Sequence, residues 1–194
     1  EDLDNPIELF KNWFTKAEEK EINDPNAVAV ATSDKHNQPN VRMVLLKGLS
    51  DRGFVFYTNF NSKKGGELKI NQKASMCFHW KSLRRQVRVV GKVEEVTSKE
   101  ADDYYNSRPY KNRISAWASS QSQILDKRET FLKKIKEYEK KYPDENNVPR
   151  PSHWSGWRLL PDEIEFWVDG EGRIHERLNY KNSNGKWVKE ILYP

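Results

Sequence analysis

Five short runs of alternating polar and apolar residues follow one another between residues 27 and 96, and they constrain the fold more than any other feature. Their limits are 27–33, 41–49, 54–60, 74–80 and 86–96. The runs are rich in Val, Phe and Tyr, and turn-forming segments such as Asn37-Gln38-Pro39 and Asp51-Arg52-Gly53 separate them. This pattern predicts consecutive antiparallel strands.

Helical periodicity precedes and interrupts these strands. Asn5-Pro6 is typical of a helix N-cap followed by proline, and apolar residues at helical spacing extend the predicted first helix over about 5–21. A short helix is expected over 62–70 and a longer one over 124–142, and Thr97 with Glu100 predicts a capping box that opens another helix. Strand-like runs return at 157–160, 164–168, 174–180 and 187–192.

Strands at both ends with helices between them predict one α+β, mainly β domain over 1–194, in which the strands of about 150–194 complete the early sheet. A closed or partly closed antiparallel barrel would remove exposed strand edges. The length of 194 residues suits a single domain.

Composition excludes several classes of protein. Cys77 is the single cysteine, so no internal disulfide forms, and the four histidines show no metal-ligand spacing. The longest aliphatic run, 27–31, is far shorter than the roughly 18 residues of a membrane span. No secretory signal is visible, and a lone thiol suits a reducing cytoplasm, which is the expected location. The formal net charge of +5 favours anionic partners.

Basic side chains cluster with hydroxyl and amide groups at several places. A strand ends and a helix begins at Ser62-Lys63-Lys64, where backbone N–H groups and two ammonium groups can bind a phosphate. An ordinary N-cap with solvated lysines explains the same pattern, and spacing alone favours it. In a regular strand Arg42 and Lys47 face opposite sides, so we expect them to serve different anions, unless a bulge re-aims one, or to reach solvent.

Further clusters lie on two strands and one helix. Alternation predicts two basic strand faces, Arg84 with Gln86 and Arg88, and Arg173 with His175 and Arg177. The first face suits either a heterocycle edge or a charged exterior; the second favours a function, because adjacent cations repel unless an anion or electron-rich ring covers them. Tyr104 and Arg108 share a helix face and, with Asn112, could enclose a phosphate.

Eight stretches follow one order across nearly the whole chain. They are Arg42-Met43-Val44-Leu45-Leu46-Lys47, Gly53-Phe54-Val55-Phe56-Tyr57-Thr58-Asn59, Arg85-Gln86-Val87-Arg88, Ser107-Arg108-Pro109, Ala116-Trp117-Ala118-Ser119-Ser120-Gln121-Ser122, Pro149-Arg150-Pro151-Ser152-His153-Trp154, Ile164-Glu165-Phe166-Trp167 and Arg173-Ile174-His175-Glu176-Arg177. In this combination they resemble the pyridoxamine 5′-phosphate oxidase family. No Walker, Rossmann or nucleophile-elbow motif competes with this resemblance.

The resemblance implies an FMN-binding split antiparallel β-barrel with flanking helices that works as a homodimer, with two flavin sites at the subunit interface. Family roles at matching positions assign FMN binding, partly from the other subunit, to Arg42, Met43, Val44, Leu45, Tyr57, Thr58, Ser62, Lys63, Lys64, Gln86, Gln121, Ser122, Trp167 and Arg177. They assign the substrate to Lys47, Tyr104, Arg108, Asn112, Arg173, Ile174 and His175. Among these, Arg173 and His175 are the expected catalytic pair at the substrate's pyridine ring.

The implied reaction oxidises pyridoxamine or pyridoxine 5′-phosphate to pyridoxal 5′-phosphate, with hydride transfer to FMN and reoxidation by dioxygen to hydrogen peroxide. The chain departs from the family's usual Ser-Arg-Lys at Lys63 and from its usual Ser at Asn112; Lys63 keeps the charge but loses the bidentate fork. Two alternatives are a flavin split barrel with another substrate and a basic barrel that binds single-stranded nucleic acid. The modest net charge of +5 places the nucleic-acid hypothesis last.

Overall fold

Five α-helices and nine strands make up the part of the chain that the computed structural model describes, residues 3–194. The helices are α1 (Pro6–Lys20), α2 (Lys63–Ile70), α3 (Ser98–Ser107), α4 (Tyr110–Ala118) and α5 (Arg128–Lys141). The strands are β1 (Ala27–Ser33), β2 (Pro39–Leu45), β3 (Gly48–Ser50), β4 (Gly53–Asn59), β5 (Lys73–Trp80), β6 (Arg85–Glu95), β7 (Trp154–Val168), β8 (Glu176–Ser183) and β9 (Lys186–Leu192).

One antiparallel sheet contains all nine of these strands, in the order β2-β1-β5-β6-β7-β4-β3, and β8 and β9 extend it from β7. The late strand β7 lies between β6 and β4, so the C-terminal part of the chain completes the early sheet, as predicted. The predicted class, an α+β and mainly β protein built on an antiparallel barrel-type sheet with flanking helices, is confirmed.

The strand β7 is continuous where two strands, 157–160 and 164–168, were predicted. Its pairing with β6 shifts register between Val90 and Gly91, and Pro161 lies opposite Gly91. A bulge accommodates a proline that has no N–H for the ladder. A Cβ at Gly91 would lie 2.0 Å from the carbonyl oxygen of Leu160, so this close crossing requires glycine.

The core lies between the sheet and α1. Asn5 caps α1 by accepting a hydrogen bond from the N–H of Ile7, which confirms the predicted start of this helix. Phe10 is fully buried and packs against Phe54 and Phe78 at centroid distances of 5.0 and 4.9 Å. The predicted capping box of Thr97 and Glu100 is also present at the start of α3. Within residues 3–194, no helix combines the length and apolar character needed to cross a membrane.

Two predicted boundaries were wrong, and one helix was missed. The run 41–49 is broken after Leu45 because the chain leaves β1 there and Lys47 N donates to Val55 O in β4 at 2.9 Å. The long helix begins at Arg128 rather than 124, after a segment in which Ser122 has φ +70°. The helix α4 was not predicted; it follows Pro109, whose fixed φ favours a helix start.

Two predicted strand faces were wrong in part. Arg84 has φ +52° and ends a 3-10 turn, so it lies outside β6, and alternation relates only Gln86 and Arg88. Arg173 has φ +66° in a second 3-10 turn, and β8 begins only at Glu176. Arg173 therefore shares no strand alternation with the residues that follow it.

Candidate active site

A cavity of about 540 Å³ opens between β2, β4 and the helices α2 to α5. Its walls are formed by Met43, Val44, Leu45, Lys47, Tyr57, Thr58, Asn59, Lys64, Tyr104, Arg108, Ser115, Ala116, Ser119, Gln121, Phe131 and Trp154. Ten of the residues that the resemblance assigned to FMN or substrate are in this wall. A second cavity of about 540 Å³, over β1, β5 and β6, contains none of them.

Lys64 is a buried cation at one end of the first cavity. Ser62 caps α2 by accepting a hydrogen bond from Gly65 N at 3.2 Å, and this turn directs Lys64 inward, where it is 9% exposed. Its Nζ donates to Gln121 Oε1 at 2.8 Å, and Thr58 Oγ1 donates to the same oxygen at 3.2 Å. Burial, with a smaller contribution from the charge of Arg42, lowers the pKa of Lys64 to about 8.

No carboxylate in the described part of the chain forms an ion pair with Lys64. A desolvated ammonium group with only an amide oxygen as its partner is unfavourable until an anion replaces that partner. Arg42 lies nearby on β2, where its Nη1 donates to Thr32 Oγ1 at 2.5 Å and to Val30 O at 3.2 Å. Together these cations form a site suited to a phosphate.

An aromatic wall holds a second cation at the other end of the cavity. The rings of Tyr57 and Tyr104 stack at 4.1 Å, and Tyr57 stacks on Trp154 at 5.4 Å. The guanidinium carbon of Arg108 lies 4.7 Å from the Trp154 ring. The buried Nη1 of Arg108 has no hydrogen-bond partner among residues 3–194, and burial lowers the pKa of this guanidinium group. Lys47, which is exposed, lines the same cavity, so this end also suits an anion.

The predicted phosphate ligand Asn112 is exposed on α4 and does not line the cavity. Ser115, one helical turn further on, does line it and was missed from the sequence. Its hydroxyl donates to Asn112 O at 2.9 Å. The i, i+3 spacing on α4 was the only sequence signal for Ser115, and the helix itself had not been predicted.

A second cluster gathers four more of the predicted residues at β6, β7 and β8. Gln86 pairs with Trp167, and Trp167 pairs with Arg177. His175 packs against the Trp167 ring at 4.7 Å and accepts a hydrogen bond at Nδ1 from Gly170 N. Arg177 donates to both carboxylate oxygens of Glu165, at 2.7 and 3.2 Å, and this pairing raises its pKa.

None of this second cluster lines the cavity, and several predicted residues lie outside both groups. These residues are Arg42, Ser62, Lys63, Ser122, Arg173 and Ile174, together with Asn112. Ser62 is buried as the cap of α2, Arg42 is half-buried, and Lys63, Ser122, Arg173 and Ile174 are exposed. The described chain thus brings the predicted site residues together as two separate groups.

Comparison with known proteins identifies the family. The family model described as pyridoxamine 5′-phosphate oxidase matches residues 14–142, and that of the pyridoxine 5′-phosphate oxidase C-terminal dimerisation region matches 154–194. A pyridoxine/pyridoxamine 5′-phosphate oxidase of Pelagibacter ubique (strain HTCC1062) is 60% identical over 98% of this chain and 92% of its own length. One of Agrobacterium fabrum (strain C58 / ATCC 33970) is 55% identical over 97% of this chain and 92% of its own length.

Solved structures agree with this assignment. PhzG from Burkholderia lata 383, in complex with tetrahydrophenazine-1-carboxylic acid, has a TM-score of 0.93 at 30% identity, over 99% of this chain and 94% of that one. An FMN-binding protein of Nostoc punctiforme PCC 73102, related to pyridoxamine 5′-phosphate oxidase, has a TM-score of 0.79 over 100% of both chains; at 15% identity it supports the fold alone. By its match to the family models and its identity to these relatives, the chain belongs to the pyridoxamine 5′-phosphate oxidase family.

Proposed function

We propose that this chain is an FMN-dependent oxidase that converts pyridoxamine 5′-phosphate and pyridoxine 5′-phosphate to pyridoxal 5′-phosphate, and so acts in the biosynthesis and salvage of that coenzyme. The observation that carries the proposal is the cavity with two cations, the buried Lys64 and the half-buried Arg108 with its buried Nη1, neither of which is paired with a carboxylate in the described chain. Two phosphate esters, one on the cofactor and one on the substrate, account for two such cations. Relatives at 55–60% identity carry the name of this activity.

The residues at the first cation site fit FMN. Its terminal phosphate is a dianion with strong acceptor oxygens, and Lys64 with Arg42 offers charged donors that no carboxylate at the cavity neutralises fully. The Ser62 cap leaves the N-terminus of α2 beside them, which adds N–H groups of favourable polarity. Lys63 supplies a third, exposed charge, and Met43 to Leu45 of β2 would form the apolar wall for the ring system.

The second cation site fits the phosphate of the substrate. Arg108 and Lys47 would bind it, with Tyr104 closing the aromatic wall. These contacts to the phosphate are remote from the carbon that reacts, so the binding energy that they supply can be used to align that carbon. Ser115 is the hydroxyl of α4 best placed to take part, in the role that the resemblance gave to Asn112.

The FMN held by these residues would supply the redox chemistry at the carbon that bears the amine or alcohol, namely acceptance of a hydride and reoxidation by dioxygen with release of hydrogen peroxide. The protein's part is to hold and orient the ring. Arg173 would lie over the pyridine ring and stabilise developing negative charge, and His175 would hydrogen-bond a ring substituent. Ile174, between them, is 74% exposed and would add apolar contact.

The separation of the two groups of residues supports a site shared between subunits. The chain carries the family's dimerisation region at 154–194, within the proposed single domain of 1–194. We place FMN at the interface of a homodimer, with the cavity contributed by one protomer and the cluster of Gln86, Trp167, His175 and Arg177 by its partner. Ser122 and Gln121 would complete the flavin site. The cytoplasmic location stays a prediction that rests on the lone thiol.

The second candidate is a flavin reaction on another substrate, which the likeness to PhzG favours at 30% identity. The molecule named in that structure is a carboxylic acid rather than a phosphate ester. Three observations favour the first candidate: the Arg108 Nη1 that is unpaired within residues 3–194, the additional charge of Lys47, and relatives at 55–60% identity that are named for B6 phosphates.

Anaerobic addition of pyridoxamine 5′-phosphate to the FMN-loaded protein tests the proposal directly. The flavin absorbance should bleach, and admission of air should restore it with formation of peroxide. Protein that binds FMN but stays yellow with this substrate would favour the second candidate; protein that binds no FMN would exclude both.

A further inference from the structure

Glu67, on α2, is a buried carboxylate that the proposed reaction does not use. The residue is 5% exposed. Thr32 Oγ1 donates to its Oε2 at 2.6 Å, and Asn40 Nδ2 donates to its Oε1 at 2.9 Å. Both carboxylate oxygens are therefore bound by groups from the neighbouring strands β1 and β2, so the carboxylate ties α2 to the sheet.

The hydrogen bonds of this network have a fixed direction. A threonine hydroxyl has one proton, and Thr32 donates it to Glu67. Its oxygen is then an acceptor toward Arg42, whose Nη1 donates to it at 2.5 Å. The Arg42 Nη2 lies 3.9 Å from Glu67 Oε2, so the carboxylate holds the guanidinium mainly through the hydroxyl and only weakly by direct contact.

The guanidinium so held retains free donor capacity. Its Nη1 is engaged by Val30, Thr32 and Asn40, whereas its Nε forms no hydrogen bond within residues 3–194. Glu67 follows Lys64 on α2 by three residues, and the charge of Arg42 helps to lower the pKa of Lys64. One carboxylate thus joins the helix that presents Lys64 to the strand that presents Arg42.

We propose that Glu67 is a positioning residue, which acts through Thr32 to fix the Arg42 guanidinium beside Lys64 for the phosphate of FMN. The inference rests on the proposed FMN site and extends it to Glu67, Thr32 and Asn40. If Glu67 acted only through its charge, its removal would change the affinity for FMN in the opposite direction. A carboxylate near the site repels a phosphate, so removing its charge would strengthen phosphate binding unless geometry is the larger effect.

The test compares FMN with riboflavin, which lacks the phosphate, by quenching of flavin fluorescence on titration into the apoprotein. We expect Glu67→Gln and Thr32→Val to weaken FMN binding about tenfold, the equivalent of one hydrogen bond to a charged group, and to leave riboflavin binding unchanged. Thr32→Ser keeps the hydroxyl and should bind FMN as the wild type does. Thr32→Val also keeps the Glu67 charge, and it provides the test if Glu67→Gln does not fold.

Each other outcome overturns the inference. Unchanged or tighter FMN binding by both variants would leave Glu67 with an electrostatic role at most. An equal loss of FMN and riboflavin affinity would make the network merely structural. A wild-type apoprotein that binds neither flavin would contradict the proposed function and with it this inference. Wild-type protein that binds FMN, together with variants that bind it equally well, would contradict only the positioning role of Glu67.

Discussion

The ammonium group of Lys64 and the side-chain oxygen of Gln121 lie 2.8 Å apart, although 57 positions separate the two residues in the chain. Gln121 occupies the place at which an anion would neutralise a buried cation. The amide carries no charge, so it satisfies the geometry of Lys64 but not its electrostatics. An anionic ligand that displaced this amide would therefore satisfy both the geometry and the charge of Lys64.

The affinity for FMN should fall as pH rises above about 8. Burial lowers the pKa of Lys64 in the empty protein from 10.5 to about 8, so in this interval the phosphate must bind together with a proton, and the affinity should decrease by up to about tenfold per unit. Fluorescence titrations between about pH 7 and pH 10 measure this dependence. Lys64→Gln should abolish the dependence, whereas Lys63→Gln, at the exposed neighbour, should retain it; a slope that survives in Lys64→Gln would contradict the assignment.

The lowered pKa of Lys64 also predicts how the stability of the apoprotein depends on pH. Because the folded pKa of Lys64 is the lower one, the unfolded chain binds more protons between about pH 8 and 10.5, and the free energy of unfolding should rise with pH across this interval. Denaturant unfolding of the apoprotein at several pH values measures the slope. Lys64→Met should be more stable than the wild type below pH 8, and its unfolding free energy should lose this contribution to the pH dependence. A variant less stable than the wild type would show that burial of the ammonium group does not destabilise the fold.

Alanine substitution of two adjacent glycines of α2 should change the unfolding free energy in opposite directions. A Cβ at Gly65 would lie 2.4 Å from Phe60 O, whereas a Cβ at Gly66 would meet nothing within 4 Å beyond its own helical backbone in the described part of the chain. Gly65→Ala should push the first turn of α2 away, weaken FMN binding and cost about 1–3 kcal/mol of unfolding free energy. Gly66→Ala, the matched control, should stabilise the helix by about 0.5–1 kcal/mol and keep FMN affinity. Equal behaviour of the two variants would contradict the close contact at Phe60.

Arg108 should control the Michaelis constant for the phosphorylated substrate. Its guanidinium is held against Trp154, and its buried Nη1 has no hydrogen-bond partner within residues 3–194, so a bound anion would supply one. Arg108→Ala should raise KM about tenfold or more, and a charge-retaining Arg108→Lys should recover part of the loss. Steady-state peroxide release measures both values. Lys111→Ala, at an exposed cation on α4, is the control and should leave KM unchanged.

Local chemistry explains which parts of the fold were predictable from the sequence. The start of α1 at Asn5-Pro6 and the capping box of Thr97 with Glu100 depend on residues a few positions apart, and both are present. The passage of β7 through Pro161 depends on a bulge in its partner strand. No pattern within 157–168 specifies that bulge, so the sequence predicts two strands there.

In the candidate site, too, some features are predictable from the sequence and others depend on how the chain packs. Resemblance names Lys64, Arg108 and Gln121, and the structure brings these three into one cavity. The position of Arg173 depends on a positive φ in a 3-10 turn, and the entry of Ser115 depends on how α4 packs. Neither is encoded by residue type and spacing alone.

Mixing two impaired variants should restore activity at low substrate concentration if each site draws on both subunits. Arg108 lies in the cavity, whereas His175 lies in the second cluster against Trp167. In a heterodimer of Arg108→Ala with His175→Ala, one shared site carries both defects and the other carries neither. Random assortment makes half of the dimers mixed, so co-refolded variants should reach about a quarter of wild-type activity. Each variant co-refolded with itself, assayed with substrate well below the KM of Arg108→Ala, is the control and should keep its low activity. If one protomer supplied both groups, every site in the mixture would hold one defect, and mixing would restore nothing.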